Sequence, residues 1–167
     1  MARAGAEKGM TKESRQEWSW VLGISLLILL MSSLPYLVGY SSQTEEKVFG
    51  GAVLDRQDYA VHLATMQLGA DGAWQYSFRF TTEDHQGAYV KMAYIFLGHC
   101  SNWLGMDVAW GYQLARLVFG LLTLLAVYQL GSQLVRKRYY RRLFFIITAG
   151  GAGLGWLQWI LGWVPDP

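Results

Sequence analysis

From Trp18 to Thr44 the chain carries 27 consecutive uncharged residues, bounded by Glu17 and Glu45. Few environments suit such a run. Trp18–Tyr40, 23 residues of it, makes a helix of about 34 Å, enough to cross a hydrocarbon core of about 30 Å. A polar stretch with Asp55 and Asp58 follows directly. Two carboxylates therefore stand just beyond a membrane exit, where a charge is costly and tends to have a task or a partner. The composition agrees. Charged residues make up 16% of the chain, against about 25% in soluble domains. Eight Trp and ten Tyr supply interface belts. A net charge of +2 gives no footprint for nucleic acid. Cys100 is the single cysteine, so no intramolecular disulfide forms. The segment before Trp18 mixes four basic and three acidic residues, and the apolar run exceeds a signal h-region of about 7–15 residues. The first span is read as retained.

Three segments read as transmembrane helices: Trp18–Tyr40, Val108–Val135 (interrupted only by Arg116) and Leu143–Trp163. Arg136, Lys137, Arg138, Arg141 and Arg142 form a basic cluster without an acid, and Arg3, Lys8, Lys12 and Arg15 precede the first span. Basic short loops stay on the cytoplasmic side. The first two spans then run out and back, the N-terminus is cytoplasmic, Ser41–Asp107 is an outer loop, and the third span crosses outward. Gln86–Gly105 is read as a helix lying in the outer interface. The rival arrangement makes it a fourth span. The expected fold is an all-α polytopic membrane protein in the plasma (inner) membrane, one unit with three transmembrane helices and two juxtamembrane helices in the first outer loop.

Within that loop, 55–68 reads as a helix. Asp55 and Asp58 resemble an N-cap and an acidic third position. Tyr59, Leu63 and Met66 make an apolar stripe at i, i+4, i+7. Asp55, Asp58 and His62 fall on another face at i, i+3, i+7 and are expected to meet water. Trp74–Thr82 reads as weakly extended, and Thr82 or Asp84 as the cap of the next helix.

Several constellations carry chemistry. Asp58 could act as general base on an acceptor hydroxyl; alternatively it is a helix N-terminal charge stabilised by the macrodipole. Asp55, Asp58 and His62 could supply a divalent ion, although one helix face rarely completes a site. Glu83, Asp84 and His85 are a second acidic and imidazole group, or a solvated turn with a cap. Lys91 and Arg116 either snorkel from helix ends or contact a phosphate at the outer leaflet. The 136–142 cluster is a topology anchor with attraction to anionic headgroups. Gly150, Gly151, Gly153 and Gly155 match no nucleotide loop; Gly151-x-x-x-Gly155 suits close helix packing.

The arrangement resembles the GT-C superfamily of integral-membrane glycosyltransferases, the family 39-like and protein O-mannosyltransferase-like group. The residues that carry it are Asp55-Arg-Gln-Asp58-Tyr59, Glu83-Asp84-His85-Gln86-Gly87 leading to Lys91, Gln113-Leu-Ala-Arg116-Leu117, and Gly151-Ala-Gly153-Leu-Gly155-Trp156. The similarity covers nearly all of this chain and the first third or so of a typical member. The resemblance implies transfer of a sugar from a polyprenyl-phosphate donor to a hydroxyl acceptor at the outer face. It implies Asp58 as base with Asp55 second, support of acceptor or metal by Asp55, His62 and His85, and donor-phosphate contacts from Arg116 and Lys91. Some members use a divalent ion at this loop and others do not. Expected partners are the lipid-linked donor, membrane lipids and further membrane helices or subunits. The chain is expected to be an N-terminal portion, inactive by itself; the alternative is a non-enzymatic membrane subunit with an assembly role.

Overall fold

The computed structural model describes residues 2–53, 55–78, 83 and 85–151, with side chains from residue 15 onward. Among the described residues the architecture is all-helical. The order is α1 (Ala2–Ser41), α2 (Arg56–Ala70), α3 (Met92–Trp103), α4 (Val108–Leu134) and α5 (Arg138–Gly150). One isolated antiparallel bridge joins Tyr76 to Ala88.

Two stretches, Arg15–Ser41 and Val108–Leu134, are long and apolar enough to cross a membrane. Few of their apolar side chains are covered: Leu26 is 56% exposed and Met31 61%. Pro35 sits inside α1 near its far end, where a lost backbone bond is tolerated. The expected third span begins within α5, and the rest of it, through Trp163, lies outside the described residues, with Gly153 and Gly155.

The described chain forms two compact units, each fed by α1 and α4. The first takes residues through Met31 together with those from Gly120 onward. Its core is Val21, Tyr128 and Phe145, with Trp20, Ile24, Leu124 and Leu125 around them. Glu17 is buried here. Its carboxylate accepts hydrogen bonds from Tyr128 Oη at 2.7 Å, from Arg142 Nη2 at 2.8 Å and Nε at 3.1 Å, and from Arg138 Nε. The basic cluster thus has an acid after all, more than a hundred residues upstream.

The second unit, Ser32–Phe119, is organised by glycine. A Cβ on Gly69 of α2 would strike the Ile95 carbonyl oxygen, and one on Gly98 of α3 would strike the Met66 carbonyl oxygen. The backbones of α2 and α3 are therefore in direct contact, the use small residues have at tight helix crossings. Met66 and Ile95 are fully buried beside them. Buried His99 donates from Nε2 to the Ala73 carbonyl at 3.1 Å and stacks on Trp74 at 4.0 Å, which ties α3 to the turn after α2.

Element boundaries shift in two places. The first outer helix runs Arg56–Ala70 rather than 55–68, with Asp55 as its cap. The second begins at Met92, not near Gln86. Ala88 is held in the bridge to Tyr76, and Lys91 adopts a left-handed backbone (φ 54°) that turns the chain into α3. Lys91 is the N-cap; Thr82 and Asp84, the expected caps, lie outside the described residues.

Candidate functional site

The site is built within the second unit. Asp55 accepts a hydrogen bond from the Asp58 backbone N–H at 3.1 Å, the capping interaction that frees helix N-termini of one orphan donor. This locks the first turn of α2 and leaves the Asp58 side chain exposed. Among the described residues the Asp58 carboxylate has no hydrogen-bond or ion-pair partner, and it stands within electrostatic range of the Tyr112 phenol.

His62 departs from the expected water-facing side. Its ring lies parallel to Tyr94 at 4.1 Å and near-parallel to Tyr112 at 6.3 Å. Its Nδ1 is buried without a hydrogen-bond partner among the described residues. Tyr59 meets Tyr112 edge-on at 5.0 Å. Four rings from α2, α3 and α4 therefore pack together one turn below Asp58. Burial chiefly pushes the Tyr59 phenol above its ordinary value. Its hydroxyl is buried and makes no hydrogen bond among the described residues.

Arg116, the ninth residue of α4, is held by neutral groups among the described residues. Nε donates to Gln113 Oε1 at 3.0 Å and Nη2 to Ser33 Oγ at 3.0 Å. The guanidinium lies 4.2 Å from the Tyr36 ring centre. Gln113 is itself buried and fixed, since Nε2 donates to the Gly51 carbonyl at 3.0 Å. Gly51 has φ 82°, and a Cβ there would meet the Tyr59 hydroxyl. The outer loop is thus pinned to α4 at the point where Arg116 is oriented. No carboxylate among the described residues neutralises this cation.

Arg116 lines a cleft of about 400 Å³ with Ala93, Tyr94, Leu97, Tyr112, Ala115 and Phe119. A second, smaller cavity of about 190 Å³ shares Leu97, Ala115 and Phe119 and adds Leu104, Leu114 and Val118. One cation and two phenols thus stand at one end of a run of apolar surface along α3 and α4. The arrangement suits an anion attached to a hydrophobic chain: the guanidinium lacks a counter-charge among the described residues, and the walls beyond it are apolar but for Ser101, whose hydroxyl donates to the Leu97 carbonyl, and Cys100.

The remaining sequence candidates do other work. His85 accepts at Nε2 from the Phe78 N–H (2.7 Å) and donates from Nδ1 to the Glu83 carbonyl (3.0 Å). Both ring nitrogens are spent on the loop, which leaves none for a metal or an acceptor. Lys91 lies over the Tyr76 ring, its Nζ 5.3 Å from the centre. No three His, Cys, Asp or Glu side chains converge among the described residues. Asp55, Asp58 and His62 thus do not come together as a ligand set.

Tyr94 and Tyr112 are not singled out by the sequence, and Gln113 enters it only as part of the Gln113-Leu-Ala-Arg116-Leu117 motif. Gln113 carried a readable signal: an amide one turn before Arg116, inside an apolar helix, where polar groups require partners. The tyrosines carried none, because their role depends on how α2, α3 and α4 meet. Comparison with known protein families, with curated proteins and with solved structures gives no match.

Proposed function

We propose that the chain is the N-terminal portion of a membrane glycosyltransferase, with three spans and two juxtamembrane helices, that moves a sugar from a polyprenyl-phosphate donor to a hydroxyl acceptor at the outer face. The observation that carries this reading is Arg116, a cation with only neutral partners at the head of an apolar cleft. In that role its guanidinium pairs with the donor phosphate, and the isoprenoid chain follows the Leu97–Phe119 surface.

Asp58 serves as the base. Its carboxylate takes the proton of the acceptor hydroxyl as that oxygen attacks the anomeric carbon. The bond from anomeric carbon to phosphate oxygen breaks, and the lipid phosphate leaves with its charge matched by Arg116. Placing both on the outer side is supported by the Glu17 pairs, which join the basic end of the apolar stretch of α1 to Arg138 and Arg142. That end suits the cytoplasmic side by the excess of basic residues.

The test uses the full-length protein in native membranes with a radiolabelled polyprenyl-phosphate sugar. Asp58→Asn should reduce transfer by about 10²–10⁴-fold, the usual contribution of a positioned base, at unchanged insertion and donor KM. Arg116→Gln should raise the donor KM. Unchanged transfer in Asp58→Asn would remove Asp58 from the mechanism.

A further inference from the structure

The α5 helix is amphipathic in the inverse sense. Arg138, Arg142 and Phe145 recur at i, i+4, i+7 and form its inner stripe, with Arg141 at the edge of that stripe. Arg138 and Arg142 pair there with Glu17, Phe145 is fully buried, and the Arg142 guanidinium lies 4.5 Å from the Trp20 ring centre. The opposite side carries Tyr139, Tyr140, Leu143, Ile146 and Ile147, all exposed, with Tyr139 at 72% and Ile147 at 61%. A helix with charge inward and apolar surface outward has lipid, not water, as its outer neighbour.

Glu17 neutralises part of the cluster and leaves a surplus. Arg136 and Lys137 are exposed at the entrance to α5, with Lys137 over the Tyr140 ring. Arg141 lies over Tyr128, its Nε buried without a hydrogen-bond partner among the described residues. No acidic residue occupies the first turn of α5. Three cations without a carboxylate among the described residues therefore sit next to a lipid-facing apolar strip.

We propose that Arg136, Lys137 and Arg141 form a headgroup site for an anionic phospholipid whose acyl chains cover Leu143, Ile146 and Ile147. The occupant is a lipid and not a free anion, because the apolar strip needs covering as much as the cations need a phosphate. The site is independent of the glycosyltransferase reading.

The full-length protein, purified in a neutral detergent, is titrated with short-chain phosphatidylglycerol, phosphatidylcholine or inorganic phosphate, and thermal unfolding is followed. Phosphatidylglycerol should raise Tm in a salt-sensitive manner, and the other two should not. Removing all three charges with Arg136→Gln, Lys137→Gln and Arg141→Gln should weaken the phosphatidylglycerol effect about a hundredfold. If the triple variant misfolds, the exposed singles Arg136→Gln and Lys137→Gln should each weaken it about fivefold. Equal stabilisation by phosphatidylcholine, an equal effect of inorganic phosphate, or full phosphatidylglycerol affinity in the neutralised variants would overturn the assignment.

Discussion

At the level of single residues, the partners of Arg116 bear on two readings the sequence left open. A snorkelling arginine reaches out to water or headgroups. Arg116 instead turns to Gln113, Ser33 and Tyr36, which orient it without matching its charge. Arg116→Lys keeps the charge and loses the planar fork, so donor affinity should fall in this variant too, though less than in Arg116→Gln. Tyr59 gives a different kind of prediction. Its buried hydroxyl stands beside the Gln113 amide, which is already committed to the Gly51 carbonyl, so Tyr59→Phe should change thermal unfolding at pH 7 little, because a poorly made buried hydrogen bond contributes less than the usual ~1 kcal/mol. The phenol is raised in the folded state. The neutral form is therefore favoured by folding, and that contribution is present below the ordinary value of 10.0 and lost as pH rises through the folded one. Tyr59→Phe should flatten the loss of stability on going to alkaline pH.

Among the elements, α1 and α4 were legible because span length and absence of charge are local properties. The α2 cap was legible for the same reason: Asp55 and its target, the Asp58 N–H, lie three residues apart. The start of α3 was not. The pairing of Tyr76 with Ala88 and the left-handed Lys91 depend on a loop that returns on itself, and the apolar pattern from Gln86 onward does not record it. Packing glycines were sought in the Gly151–Gly155 spacing, whereas the described close approach uses Gly69 and Gly98, one on each helix. No single-helix spacing reveals such a pair. Gly98→Ala and Gly69→Ala should each destabilise the protein by about 1–3 kcal/mol, the usual range for overpacking, read as a lowered Tm in detergent. Gly72→Ala is a useful contrast. It meets no neighbour, and only its φ of 96° opposes the change, so it should affect the turn after α2 without loosening the crossing.

For the molecule as a whole, Glu17 is the residue whose importance sequence reading missed. It looked like the last charge before a span. It is the carboxylate that accepts from Tyr128 and pairs with Arg138 and Arg142. Removing the carboxylate leaves two guanidinium groups without it, and because these side chains are 40% and 31% exposed the loss falls below the about 3–5 kcal/mol of a fully buried pair. Glu17→Gln should therefore lower Tm, and Glu17→Gln with Arg142→Gln should recover part of the loss. The candidate site was legible in its charged members, Asp58 and Arg116, and not in its aromatic walls. Tyr94, His62 and Tyr112 meet only once three helices have packed.

The most direct test concerns the cleft at Arg116. A polyprenyl-phosphate probe carrying a photoreactive group on its first isoprene units is crosslinked to the full-length protein in membranes, and the labelled peptides are sequenced by mass spectrometry. The expected result is labelling of α3 and α4 around Tyr94, Leu97 and Phe119, displaced by unlabelled polyprenyl phosphate and largely lost in Arg116→Gln. Labelling confined to other segments, or undiminished in Arg116→Gln, would contradict the assignment of this cleft to a lipid-linked donor.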